Sequence, residues 1–178
     1  MKAFFLFTSL FIHLASAGQS ARGVSEGGVD SVKRRPVNVT RSVSLLTGFC
    51  AGKYFFADIG IARNLFTQTG HHPFSSTTFI SCEIRNSSQM IFAPKIGAWV
   101  AGGAGGMAMG INLLYYMQSG NSSLVFRPEI GFGFENLKMV YGYNARLTNR
   151  SFGYLLNRNL FSMVYCFKLK KKVTKEYR

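Results

Sequence analysis

The sequence predicts an all-β fold: an antiparallel, up-and-down transmembrane β-barrel of about eight strands behind an N-terminal signal peptide. Three observations lead there. The first residues have the three parts of a secretory signal. The chain is rich in Phe (17), Tyr (8) and Gly (19), yet after residue 18 no uninterrupted apolar run reaches the length of a transmembrane helix. From about residue 41, large apolar residues alternate with Gly and polar residues at period two.

Taken in order, Lys2 supplies the positive start and Phe4 to Leu14 the apolar run. Ala15-Ser16-Ala17 supplies the small residues of a cleavage site, so residues 1–17 are expected to be removed. No Cys follows, which argues against a lipoprotein anchor. Residues 18–40 mix Gly, Ser, Val and charge without periodicity and are expected to form a flexible leader.

Eight alternating segments follow within a barrel expected over residues 41–169. The weakest is 41–49. The next, 53–65, sets Phe55, Ala57, Ile59 and Ile61 against Asp58, Gly60 and Ala62. Residues 77–86 set Ile80, Cys82 and Ile84 against Ser81, Glu83 and Arg85. Residues 90–101 and 106–118 continue the pattern, although Leu114 and Tyr116 interrupt the polar face of the second. In 123–135 the even positions are apolar, while Arg127, Glu129, Gly131, Gly133 and Glu135 lie on the other face. Segment 137–147 switches parity, and 158–169 closes the set with Phe161, Met163, Tyr165, Phe167 and Leu169 on one side.

Turns are expected at 51–52, 86–89, 102–106, 119–122 and 148–157. The connection 66–76 is long for a barrel turn on the side of the termini. Pro94 and Pro128 each remove a ladder donor inside a strand, so a bulge is expected at both. Beyond the last strand, 170–178 forms a basic tail.

The composition of the faces decides which one points out. A soluble exterior would be dense in Lys, Glu, Thr and Gln. Here the polar face is mostly Gly, Ala, Ser and Asn, which suits a narrow lumen. The other face is uniformly bulky and would overfill such a lumen. The charges of the polar face nearly cancel: Asp58, Glu83, Glu129 and Glu135 against Arg85, Lys95, Arg127, Lys138 and Arg146. They are expected to form a lumenal network. Lys53 and Arg63 bracket an apolar run and are expected to anchor at the two membrane interfaces. The segment Phe92 to Gly97 echoes Phe126 to Gly131, so Lys95 and Glu129 are expected to point inward and to share the network.

The signal, the Gly-aromatic strands and the aromatic last strand Phe161 to Leu169 resemble the small outer-membrane barrels of the OmpA-like porin superfamily, within it the uncharacterised barrel proteins of Bacteroidetes. The resemblance covers residues 41–169 and implies export to the outer membrane of a diderm bacterium. The chain departs from the pattern at its end, where Lys170 to Arg178 continue past the terminal aromatic strand.

The formal charge of +14 raises nucleic acid as a partner. Yet the bases gather in Lys33-Arg34-Arg35 and in the final residues, and an exported chain seldom meets nucleic acid. Outer-membrane lipids are the expected partner, with the basic termini either solvated or in contact with anionic headgroups. Cys50, Cys82 and Cys166 are odd in number and lack zinc spacing, so neither a disulfide framework nor a metal site is expected. The Gly-rich 102–106 lacks the Lys-Ser/Thr of a phosphate loop. The mature chain's two histidines, His71 and His72, lie near Ser75 and Ser76 with no acid to orient an imidazole. No catalytic residue or cofactor is therefore expected. Four roles stay open: a plugged structural or interaction barrel, which is favoured, a narrow solute pore, a lipid-modifying enzyme, and a soluble lipocalin-like binder.

Overall fold

The structure, a computed structural model, describes residues 36–69, 72–86, 90–103, 105–118, 120–148 and 156–177. The expected signal, residues 18–35 of the leader, and His71 lie outside these residues, as does the His72 side chain.

Among the described residues nine strands form one sheet: β1 Pro36–Ala51, β2 Phe55–Thr69, β3 His72–Arg85, β4 Ile91–Gly102, β5 Met107–Gln118, β6 Asn121–Gly133, β7 Leu137–Tyr143, β8 Ala145–Arg146 and β9 Asn159–Tyr177. Each pairs antiparallel with its neighbour in sequence, except that β8 continues the line of β7 along β6, and β9 returns to β1. Together with the β5–β6 pairing this closes the ring, an up-and-down barrel of eight staves. Cross-strand partners followed round the ring return about ten residues further along the starting strand, the stagger that tilts barrel strands.

Alternation sorts the side chains as a two-residue period must. In β5, Met107, Ile111, Leu113, Tyr115 and Met117 are exposed, and Ala108, Asn112, Leu114 and Tyr116 are buried. The same split recurs in β4 and β7. Tyr116, which interrupts the polar face in sequence, therefore points into the lumen. The lumen holds bulky groups as well, including Phe56, Phe79, Trp99 and Leu46. Glycines make room for them. A Cβ on Gly97 would stand 2.6 Å from the Phe79 ring, and one on Gly142 would stand 3.2 Å from the Arg127 side chain.

The ladders differ from the sequence reading in three places. The 66–76 connection is mostly strand: β2 runs to Thr69, β3 starts at His72, and Thr69 is the partner of His72. No residue is inserted at Pro94 or Pro128. Instead the ladder skips pairs on one side, passing from Phe92↔Met117 to Lys95↔Leu114 beside Pro94. Beside Pro128 it passes from Phe126↔Ala145 to Glu129↔Gly142. A missing N–H breaks only the ladder it would have served. The register shift lies instead between β1 and β9, at Val43/Ser44.

The third difference concerns both ends. β1 begins at Pro36, inside the expected leader, and β9 continues through the expected tail to Tyr177. β7 begins opposite Tyr165, so β9 runs on past β7 with its ladder made to β1 alone. Pairing outlasts the aromatic pattern because backbone bonds ignore side-chain type. The lysines along that open edge discourage a further strand from adding.

Candidate functional site

The lumen gathers the charged groups of four staves at one level. Glu83 of β3 is wholly buried and sits at the centre. Arg127 of β6 meets it with two nitrogens, Nη1 on Oε1 at 2.5 Å and Nη2 on Oε2 at 2.9 Å. Lys95 of β4 donates to the same Oε1 at 3.0 Å and also pairs with Asp58 of β2. The Tyr116 hydroxyl of β5 donates to Glu83 Oε2 at 3.0 Å and accepts from Arg127 Nη2 at 2.7 Å. Two carboxylates and two cations thus form a neutral, hydrogen-bonded group, which is what burial of charge requires.

A relay of amides ties this group to one rim. Arg127 Nε donates to Asn144 Oδ1 at 2.7 Å, and Asn144 Nδ2 donates to the Asn157 carbonyl at 2.6 Å. Asn157 in turn brackets Tyr54 in the β1–β2 turn. Its Nδ2 donates to the Tyr54 carbonyl at 2.6 Å, and its Oδ1 accepts the Tyr54 N–H at 2.7 Å. The Cys50 thiol lies 3.3 Å from Glu83 Oε1 and accepts from Ser162 at 3.3 Å.

A second neutral pair, Lys138–Glu129 at 2.5 Å, bridges β7 and β6. The Lys138 ammonium stands 4.3 Å from the centre of the Trp99 ring, a desolvated cation–π contact. Apolar layers lie on both sides of the charges. Phe56, Ile91, Leu114, Val125 and Leu160 pack toward the rim of the β1–β2 turn. Leu46, Phe79, Trp99, Val164 and Cys166 pack below them. The middle of the barrel thus holds buried charged and apolar side chains.

The residues singled out in the sequence separate into groups. Asp58, Glu83, Lys95 and Arg127 share one cluster, while Glu129 and Lys138 form their own pair. Lys95 and Glu129 both point inward but do not pair with each other. Glu135 bonds Lys168 at 2.5 Å in a half-exposed pair near the end of the barrel that carries the termini. Arg85 leaves the network: its guanidinium lies 3.7 Å from the centre of the Tyr54 ring, at the opposite rim. Arg146 is exposed on β8, across from Val125. Lys53 sits in the β1–β2 turn, 5.1 Å over the Tyr54 ring, and Arg63 is exposed on β2 between Val43 and Thr78.

Sequence reasoning missed Tyr116, Asn144, Asn157 and Ser162. Tyr116 and Asn144 share the parity of the polar face, which is the signal for them. Asn157 lies in an expected loop, and no local pattern marks it. Of the cysteines, Cys50 and Cys166 are buried and Cys82 is half-buried, all as free thiols. Among the described residues no group of three His, Cys, Asp or Glu is arranged to hold a metal ion. No protein-family model and no curated protein matches the chain.

Proposed function

We propose that the chain is an integral outer-membrane β-barrel of a diderm bacterium, with a plugged lumen and a structural or interaction role rather than an enzymatic one. The inversion of the two faces carries this reading. Glu83 and Arg127 are wholly buried inside, while Ile80 and Leu169 are 68% and 67% exposed outside. In water such a wall would be a vast apolar patch, far beyond what a soluble monomer carries. In hydrocarbon it costs nothing, and the closed ring of ladders pairs most of the backbone of the staves. Aromatics sit toward both limits of the wall, Phe55, Phe92, Tyr115 and Tyr143 at one end and Phe74, Phe134 and Phe167 at the other, as interfacial rings do. These features also favour the resemblance to the OmpA-like porin superfamily and tell against a lipocalin-like binder, whose apolar face points inward.

The charged cluster and the two apolar layers favour a plug over a pore. Cell fractionation followed by gel electrophoresis with and without boiling tests the reading. A detergent-extracted outer-membrane band whose mobility shifts on heating is the expected result. An aqueous band with no shift overturns it. Planar-bilayer recording is expected to find no single-channel steps, and steady conductance would return the pore reading to first place.

A further inference from the structure

We propose that Arg41, Arg63, Lys170 and Lys172 form a binding site for the phosphate headgroup of an anionic glycerophospholipid, with its acyl chains lying in an apolar groove on the outer wall. The proposal rests on the membrane reading above.

Four cations on three strands become neighbours through two ladders. Val43 is the partner of both Arg63 and Lys170, and Arg41 is the partner of Lys172. Direct partners in a ladder share a face, and Val43 is exposed on the outer wall. Arg41, Arg63, Lys170 and Lys172 are all exposed beside it. Strands about 4.8 Å apart place Arg63 and Lys170 roughly 10 Å from each other across β1.

The register shift is what assembles the patch. Up to Lys168↔Ser44 the alternation of β9 puts Lys168 on the lumenal side. Leu169 is then left without a β1 partner, and Lys170 pairs with Val43. Without that inserted residue Lys170 and Lys172 would oppose Ser42 and Thr40, both buried. The bulge turns both lysines outward, next to the arginines. Arg41 stands directly opposite Lys172 in the β1–β9 ladder.

The patch borders an apolar seat. A groove of about 1140 Å³ runs along the outer wall from Val43 and Arg63 past Ile61, Ile59, Ile80 and Ile96. Ala98, on the same outward face as Ile96, is a small residue in its lining. A phosphate near Arg63 and Lys170 would thus have its acyl chains directed along this groove. Phe167 and Leu169 extend the exposed apolar surface on the β9 side. Cations at the edge of an apolar wall can also serve simply as snorkelling anchors with no lipid preference. The two cases differ in headgroup selectivity.

The test uses the full-length barrel purified in detergent and examined by native mass spectrometry with added dioleoylphosphatidylglycerol or dioleoylphosphatidylcholine. The wild type is expected to retain one phosphatidylglycerol in preference to phosphatidylcholine, and inorganic phosphate is expected not to displace it. The variant Arg41→Gln/Arg63→Gln/Lys170→Gln/Lys172→Gln should lose this retention by at least about tenfold. Removing cations elsewhere, with Lys53→Gln/Arg158→Gln, should leave it unchanged. If the fourfold variant does not refold, Arg63→Gln/Lys170→Gln replaces it, with partial loss expected. The heat-induced mobility shift of each preparation reports folding and the membrane reading separately. Equal retention of the two lipids by a heat-modifiable wild type, or undiminished retention by a heat-modifiable variant, overturns the site while leaving the barrel reading intact. Displacement by inorganic phosphate overturns the lipid assignment.

Discussion

Arg127 meets Glu83 across the lumen through two parallel contacts, with both side chains wholly buried and 44 residues apart in sequence. The pair joins β6 to β3, staves that share no ladder. Lys95, Tyr116 and the Cys50 thiol add one further contact each to the same carboxylate, so Glu83 is the common acceptor of four staves.

Replacing Glu83 by Gln should therefore cost about 3–5 kcal/mol, because it leaves Arg127 buried without its counter-ion and Lys95 with Asp58 alone. Urea unfolding of the refolded barrel in lipid vesicles measures this. The double variant Glu83→Met/Arg127→Met should be less damaging than Glu83→Gln alone, since it removes both charges of the pair. If Glu83→Gln unfolds at the wild-type midpoint, the cluster does not hold the staves together.

The glycines divide by what faces them. A Cβ on Gly131 would lie 2.2 Å from the Met139 carbonyl oxygen and 2.7 Å from Val140 Cα, so backbone would have to move. Gly131→Ala should destabilise by about 1–3 kcal/mol. Nothing lies within 4 Å of the corresponding point on Gly105, in the β4–β5 turn, and its φ is not positive. Gly105→Ala should fall within about 0.5 kcal/mol of wild type in the same unfolding assay.

Trp99, the single tryptophan of the chain, reports which face looks inward. It is 3% exposed and packs on Phe79 inside the barrel. Brominated acyl chains should quench its fluorescence only weakly in reconstituted vesicles. Ile111→Trp, made in a Trp99→Phe background, places the indole on the outer wall and should be quenched several-fold more. Equal quenching would contradict the assignment of faces.

The extended last strand gives a further expectation. Ending the chain at Leu169 removes the β9 partners of Pro36 to Val43. Amide exchange in that part of β1 should accelerate by at least about tenfold, while β5 and β6 keep their protection. Unchanged exchange in β1 would mean that pairing with β2 alone suffices to hold it.

The sequence by itself determined the class of fold, the staves and the two faces. These are written in a two-residue alternation that every strand repeats, from Phe55 and Asp58 in β2 to Phe161 and Ser162 in β9. Inward placement of Asp58, Glu83, Lys95, Arg127, Glu129 and Lys138 follows from the same parity. Which of them pair was decided by the tertiary structure. Partners across a lumen depend on the stagger of the whole ring, and no local pattern encodes that stagger. For this reason Lys95 reaches Asp58 and Glu83, Glu129 takes Lys138, and Arg85 turns to Tyr54 instead. The limits of β1 and β9 were equally hidden. Backbone hydrogen bonds carried the ladder through a lysine run that side-chain pattern alone marks as a tail, and one inserted residue at Leu169 then set which of those lysines face outward.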